Sequence, residues 1–376
     1  MHIAIDARSI FTGGGGDRTY FRELIQTMAR LSPDDRWTLY AEKHDTDRDS
    51  LRAPNIVIAL PLSAPISGLW NVTSLAPRLR RDRADLLHSQ YTLPPVGPVS
   101  CPMIVTIHDA TFRLFPQWFP RRANRVQNLL IPQSARRAAR ILTGSRSAAE
   151  DIHATMNVLR AKITVTPYGL DERFYQAAVS DQEEVRDRYG LPNNYVLGVG
   201  LLRTRKNVRV ILEAMTLLLE QNQWPTGAVL ALTGYWNGAP ADAARRAQES
   251  HLAPHLRALG FVPDADLPAL YAGAVVSVYP SLYEGFGFPV LEAMAAGSPV
   301  VSSDTSSLPE VVGDAGLLLP PDDSTAWADA LRTLLEDTDA RQDLVRRGQE
   351  QAARFTWERT ARETLAVYRE VVQQRL

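Results

Sequence analysis

Two glutamates bracket a glycine-bearing stretch, Glu284-Gly285-Phe286-Gly287-Phe288-Pro289-Val290-Leu291-Glu292. The glycines keep side-chain bulk low, and Pro289 suits the first position of a helix. A loop of this kind entering a helix presents backbone N–H groups and the positive end of the helix dipole, which together attract a diphosphate. Carboxylates repel that anion. Glu284 and Glu292 are suited instead to accept hydrogen bonds from the hydroxyls of a sugar or ribose.

A second cluster supplies cations. In Gly198-Val199-Gly200-Leu201-Leu202-Arg203-Thr204-Arg205-Lys206-Asn207, the basic residues follow a strand-like run and precede a helical one. Lys206, with Arg205 or Arg203, would neutralise a departing diphosphate, whose charge grows as a glycosidic bond breaks. A solvated basic loop is the plainer alternative. A third cluster is Thr106-Ile107-His108-Asp109, at the end of an apolar run. His108 there can hydrogen-bond a sugar or position an acceptor. Asp109 can orient His108, bind a hydroxyl, or simply form a turn. A fourth is Gly13-Gly14-Gly15-Gly16 after the first strand-like run, where Gly14 and Gly15 could approach a phosphate and Asp17 would weaken that binding.

Other chemistries lack support. The pairs Asp45/Asp47 and Asp264/Asp266 have no evident third ligand, and Asp266 reads as a helix cap. The 7 histidines show no zinc spacing, the single Cys101 allows no disulfide, and no Gly-x-Ser-x-Gly occurs. A dinucleotide cofactor would need the G-x-G-x-x-G spacing with an acidic residue about 20 positions later, and Gly13 to Gly16 match it only loosely. No metal and no cofactor are expected.

These residues need rigid elements to hold them. The 376 residues suffice for two domains, and no apolar run approaches a membrane span. The start of the chain lacks a signal peptide's basic and apolar regions, so a cytoplasmic location is expected. Short Val/Ile/Leu/Ala runs alternate with amphipathic stretches in both halves. Strands are expected at 3–5, 37–40, 56–59, 86–88, 103–107, 141–143 and 163–165, then at 195–199, 229–233, 274–278, 300–302 and 317–319. Helices are expected near 18–30, 123–139, 208–219, 241–251, 289–296 and 325–334, with a capping box at Ser147 and Glu150. Continuous apolar strands are the mark of parallel sheets covered on both faces. The expected fold is α/β, with two doubly wound Rossmann-like domains facing a cleft: residues 1–170, residues 190–355, and a tail helix at 356–376 that packs back on the first domain. The boundary is expected between about Pro167 and Asn194, where the stretch 177–188 is polar and charged and Gly190 to Asn194 are breakers.

Charge is divided unevenly. Residues 1–170 carry 22 Lys and Arg against 14 Asp and Glu, and the remainder 19 against 28. Arg78/Arg80/Arg81/Arg83, Arg121/Arg122/Arg125 and Arg136/Arg137/Arg140 cluster in the basic half. They form solvated helix faces or a peripheral contact with an anionic membrane. Nucleic-acid binding is not expected, because no aromatic platforms accompany the arginines.

Glu284 and Glu292 form an E-x7-E signature that resembles retaining glycosyltransferases of family 4 (glycosyltransferase group 1), which have the GT-B fold. The resemblance extends over nearly the whole chain, through Gly260-Phe261-Val262-Pro263-Asp264, Ala295-Ala296-Gly297-Ser298-Pro299 and the Thr-x-His-Asp of His108. It implies that Glu284 contacts the donor sugar, Glu292 the ribose, Lys206 the diphosphate, and the amides of Phe286, Gly287 and Phe288 the diphosphate or sugar. It also implies retention of configuration without metal. The Arg205-Lys206-Asn207 run is similar to a subgroup assigned to mannosyl transfer. The expected reaction moves a hexose, such as mannose, from a GDP- or UDP-sugar to a saccharide or lipid-linked saccharide acceptor, at or near the inner face of the cell membrane. Two departures stand out: Leu201 replaces the arginine common after the second glycine, and Asp17 replaces another in the glycine loop. They motivate an alternative, a non-catalytic nucleotide-sugar-binding protein or partner subunit. A nucleotide-sugar 2-epimerase shares the architecture and fits the signature less well.

Overall fold

Runs such as Ile3-Ala4-Ile5 and Val300-Val301 have no polar face to turn to solvent, so their strands must be covered on both sides. The computed structural model bears this out for the inner strands, which are buried along nearly all their length, while the edge strands are partly exposed. It describes the chain except residues 13, 14, 42–50, 52, 60–74, 95–98, 100, 177, 178, 201, 236–239, 375 and 376. The chain divides into two units, Met1–Gly169 with Phe355–Leu376, and Leu170–Arg354.

The first unit holds β1 (His2–Asp6), β2 (Arg36–Tyr40), β3 (Ile56–Ala59), β4 (Leu86–Gln90), β5 (Met103–Thr106), β6 (Arg140–Thr143) and β7 (Ile163–Val165). They form one sheet in the order β3-β2-β1-β4-β5-β6-β7, every pair parallel. The order reverses beside β1, which makes the strand ends there a natural ligand position. The helix Trp357–Gln373 belongs to this unit and packs on the helix Gly16–Leu31. Its buried face carries Trp357, Leu365, Tyr368 and Val371, each contributing about 2 kcal/mol of apolar burial. Thr360 Oγ1 donates to the Pro167 carbonyl at 2.6 Å. Gly169 is required beside it, since a Cβ there would lie 2.2 Å from the Trp357 nitrogen.

The second unit holds β8 (Tyr195–Gly198), β9 (Val229–Thr233), β10 (Leu256–Gly260), β11 (Val276–Tyr279), β12 (Val300–Ser303) and β13 (Leu317–Leu319). Their order is β10-β9-β8-β11-β12-β13, again all parallel. Both units are thus doubly wound α/β domains.

Several local expectations need correction. The units divide at Gly169/Leu170, within the expected span, but the polar stretch beyond is not a loop: Val179–Tyr189 is a helix of the second unit, packed on the helix Leu267–Ala272. The helix expected from Ser147 starts earlier, because Ser145 accepts from the Ala148 N–H at 3.0 Å, and Glu150 pairs with Arg160 instead of closing a capping box. Asp266 occupies the cap position of the helix Leu267–Ala272 but makes no cap bond. Its carboxylate receives Arg188 Nη1 and Tyr189 Oη, both at 2.7 Å. Pro289 is the second residue of its helix, Phe288–Ala295, not the first.

Candidate active site

β11 ends at Tyr279, and the next few residues turn Glu284 back beneath the start of the helix Phe288–Ala295. Two serines pin that turn. Ser306 Oγ accepts from the Glu284 N–H at 2.9 Å, and Ser307 Oγ donates to the carbonyls of Glu284 and Phe286 at 2.9 and 2.7 Å. Gly287 then enters the helix at φ 122°, a conformation that favours glycine, and a Cβ there would meet Leu308 Cδ2 at 3.0 Å.

The buried Glu284 carboxylate faces two cations. Its Oε1 lies 2.7 Å from Lys206 Nζ and 2.7 Å from Arg205 Nη1. These come from the short 3₁₀ turn Thr204–Lys206, which the left-handed Asn207 joins to the helix Val208–Glu220. Asn207 anchors the turn by donating to the Pro321 carbonyl at 2.6 Å. Tyr279 Oη completes the cluster: it is hydrogen-bonded to Lys206 Nζ and donates to Glu284 Oε1 at 3.3 Å, while the ammonium sits 4.3 Å from the Tyr279 ring centroid. Burial alone would raise the Glu284 carboxyl, but Lys206 and Arg205 more than offset this and hold it below its usual range. Burial lowers Lys206 to about 8, against the opposing pull of Glu284. Two cations around one carboxylate leave a surplus positive charge close to a helix N-terminus, which is an anion site. Arg203 is exposed at the outer end of the same turn.

Glu292 lies on the same helix, partly covered, and its Oε2 accepts from Tyr271 Oη at 3.1 Å. Desolvation raises its carboxyl to about 7, against the lowering effects of the Tyr271 hydrogen bond and the Arg173 charge. A carboxyl bound on one oxygen by a phenol keeps acceptor capacity on the other for a diol.

The first unit carries a separate cluster. His108 follows β5 and is buried, with Nδ1 2.6 Å from Tyr168 Oη. Its ring is met edge-on by Tyr20, Tyr91 and Tyr168, at centroid distances of 4.9, 5.4 and 5.5 Å. Burial lowers its pKa, so the imidazole is neutral despite Asp17 and Asp109 nearby. Asp109 does not hold the ring: its Oδ1 accepts from the Thr111 N–H at 2.8 Å, which makes it a turn residue. Gly15 lies at φ 68° just ahead of the helix Gly16–Leu31. Gly14, Asp45, Asp47 and Leu201 lie outside the described residues.

Glu284, Lys206 and Arg205 are therefore brought into direct contact, with Phe286 and Gly287 on the adjoining loop and Phe288 and Glu292 on the adjoining helix. Sequence reasoning missed Tyr279, Tyr271, Tyr168, Ser306 and Ser307. A tyrosine at a strand end reads as core, and only the Ser-Ser step before Leu308-Pro309 hinted at a loop clamp. Among the described residues, no group of three or more His, Cys, Asp or Glu is placed to hold a metal ion, and no helix is long and apolar enough to cross a membrane.

The model for glycosyl transferases group 1 matches residues 181–351, and that for glycosyltransferase family 4 matches residues 14–174. The O-antigen chain mannosyltransferase B of Escherichia coli is 35% identical over 269 residues, which cover 71% of this chain and 70% of that protein. Sucrose-phosphate synthase from Thermosynechococcus elongatus superposes with a TM-score of 0.76 at 21% identity, covering 100% of both chains. An Anabaena protein solved in complex with UDP and glucose superposes with a TM-score of 0.73 at 21% identity, covering 98% of this chain and 100% of that one. These structural likenesses concern the fold, which is GT-B.

Proposed function

Because the chain belongs to the glycosyl transferases group 1, and is therefore a glycosyltransferase, we propose that it moves a hexose from a nucleoside-diphosphate sugar to a hydroxyl of a saccharide or lipid-linked saccharide. Mannose from GDP-mannose is the first candidate, on the likeness to the Escherichia coli mannosyltransferase and the Arg205-Lys206-Asn207 run. The observation that carries the reading is the buried Glu284 held between Lys206 and Arg205 where the loop enters the helix Phe288–Ala295.

An entering diphosphate competes with Glu284 for the two cations, and the freed carboxylate oxygen then accepts from a sugar hydroxyl. As the anomeric carbon–oxygen bond breaks, Lys206, Arg205 and the dipole end at Gly287 take up the charge that grows on the leaving diphosphate. The acceptor oxygen forms its bond to the anomeric carbon from the same face. Its proton passes to a diphosphate oxygen, so configuration is retained and no protein nucleophile is needed. The cations stand where a metal would otherwise balance the charge. Glu292 binds the ribose diol.

The test is calorimetric titration with GDP, UDP, ADP and their sugar conjugates, with and without chelator, followed by anomeric analysis of the product. One diphosphate should bind with chelator present, and Glu292→Ala should weaken it about tenfold or more. If no diphosphate binds, the reading fails in favour of a degenerate partner subunit. Binding only with a divalent metal removes the metal-independent part.

A further inference from the structure

Lys206 and Arg205 meet Glu284 alike, each at 2.7 Å, yet they are anchored differently. Arg205 has a further partner in the loop itself, since its Nη1 donates to the Tyr283 carbonyl at 3.3 Å. Its own carbonyl accepts from the Leu282 N–H at 2.8 Å, so side chain and backbone are both tied down. Lys206 ends in an ammonium on a flexible four-carbon stem. Among the described residues, the hydrogen-bond partner of that ammonium besides Glu284 is the Tyr279 hydroxyl. The phenol accepts from the ammonium and donates its single proton to Glu284 Oε1 at 3.3 Å. One hydroxyl thus bridges the two members of a buried ion pair.

Tyr279 is held firmly enough to do this. It is the last residue of β11 and is 3% exposed. It pairs in register with Ser302 of β12, whose Oγ donates to the Tyr279 carbonyl at 3.4 Å. The ion pair it bridges is covered but not sealed: the Lys206 and Glu284 side chains each keep 9% exposure, so an anion can reach them. An anion that takes Lys206 breaks the pair, and a buried carboxylate stripped of its partners is costly. The phenol limits that cost. It keeps a proton on Glu284 Oε1 as the cations turn to the anion, and it holds the ammonium at one point while the ammonium's partner changes.

We propose that Tyr279 is a positioning residue for donor binding, its hydroxyl holding the Lys206 ammonium and the Glu284 carboxylate in place while a diphosphate displaces one from the other. It acts through these two side chains and touches no substrate. The donor role rests on the proposed function of Lys206, whereas the hold on the ammonium in the ligand-free protein does not.

The titration of Lys206 reports that hold. Burial lowers it to about 8, Glu284 opposes this, and Arg205 and Arg203 lower it further, while Glu292 on the neighbouring helix also feels its charge. A phenol oxygen that accepts from the ammonium favours the charged form. The bond to Glu284 is the longer one, so the direct contact with the ammonium decides the sign: removing the hydroxyl lowers Lys206 further.

The chain has three lysines, Lys43, Lys162 and Lys206. Carbon-13 NMR of the full chain labelled at lysine therefore follows each one, with Lys206 assigned by comparison with Lys206→Arg. The wild type should titrate near about 8. Tyr279→Phe keeps the ring and loses the hydroxyl, and should lower the midpoint by about half a unit or more. A ring that served packing alone would leave the midpoint unmoved. 3-Fluorotyrosine placed at position 279 keeps a hydroxyl that accepts less well. It should move the midpoint the same way by less, and it replaces Tyr279→Phe should that variant not fold. In calorimetric titration with GDP and UDP, Tyr279→Phe should weaken diphosphate binding about tenfold. The deficit should widen from about pH 7 to about pH 9, because Lys206 loses its proton earlier in the variant. A midpoint at or above that of the wild type, binding as tight as the wild type, or a deficit constant with pH overturns the proposal. If Lys206 moves as expected but the wild type binds neither diphosphate, the transferase reading fails and the donor role with it, leaving only the hold on the ammonium.

Discussion

Glu292 is the residue whose own titration gives the sharpest test. Desolvation raises its carboxyl to about 7 in the folded protein, far above the ordinary glutamate range that the unfolded chain retains. As pH rises through this window the unfolded chain loses its proton first, so the folded protein is progressively destabilised until pH passes about 7. Glutamine cannot ionise. Glu292→Gln should match the wild type in urea unfolding near pH 4.5 and exceed it near pH 8, on the order of 2 kcal/mol after allowing for the partial exposure of the site. An equal difference at both pH values would mean that the raised carboxyl is absent. The same variant should bind nucleoside diphosphate more weakly, so stability and binding should move in opposite directions at pH 8, as they do where an active site is held under strain. Glu284, Glu292 and Lys206 were legible in the sequence because glycine spacing and charge mark them. Tyr279 and Tyr271 were not. A phenol's hydrogen bond to a carboxylate or ammonium depends on which strand end meets which helix, and a single sequence does not state that.

At the scale of elements, what the sequence revealed follows from periodicity. β3 falls at Ile56–Ala59 as expected, and the helix Val208–Glu220 differs by one residue at its end. β10 escaped notice because Leu256-Arg257-Ala258-Leu259-Gly260 is an edge strand with an exposed arginine, and neither its pattern nor its composition demands a sheet. The helix Val179–Tyr189 escaped because its charged composition gives little apolar pattern, and its packing on the helix Leu267–Ala272 is not stated by a single sequence. The helix Arg121–Arg137 repays the same scrutiny. It exposes Val126 and Leu129, at 55% and 68%, beside exposed Arg121, Arg122 and Arg125. Apolar residues amid arginines suit the interface of an anionic membrane. In liposome sedimentation, binding should rise with anionic lipid content and fall with salt. Leu129→Asp should reduce it about tenfold while leaving thermal stability unchanged, because the side chain supports no core. Binding that ignores both lipid charge and this substitution assigns the arginines to solvation alone.

At the scale of the molecule, the chain's crossings between its units matter most. It leaves the first unit after Gly169 and returns at Phe355, so the first unit is completed only by the last helix. Tyr368 on that helix reaches His88 Nδ1 at 2.5 Å, and His88 Nε2 reaches Thr106 Oγ1 at 2.8 Å, tying the tail to the strand that leads to His108. Burial lowers His88 to about 3, so this relay stays neutral at any physiological pH. Gly169 is the contact through which the return can be disturbed without touching a binding residue. A methyl group there would lie 2.2 Å from backbone nitrogen, and backbone cannot rotate away as a side chain can. Gly169→Ala should therefore lift the helix Trp357–Gln373 and cost several kcal/mol of the burial by Trp357, Leu365 and Tyr368. Hydrogen exchange should then speed up across the strands of the first unit and in the tail, while amides of β8, β9 and β11 keep their protection. Exchange that quickens equally in Leu170–Arg354 would show that the two units unfold as one cooperative body, and that the tail's stabilisation is shared by both.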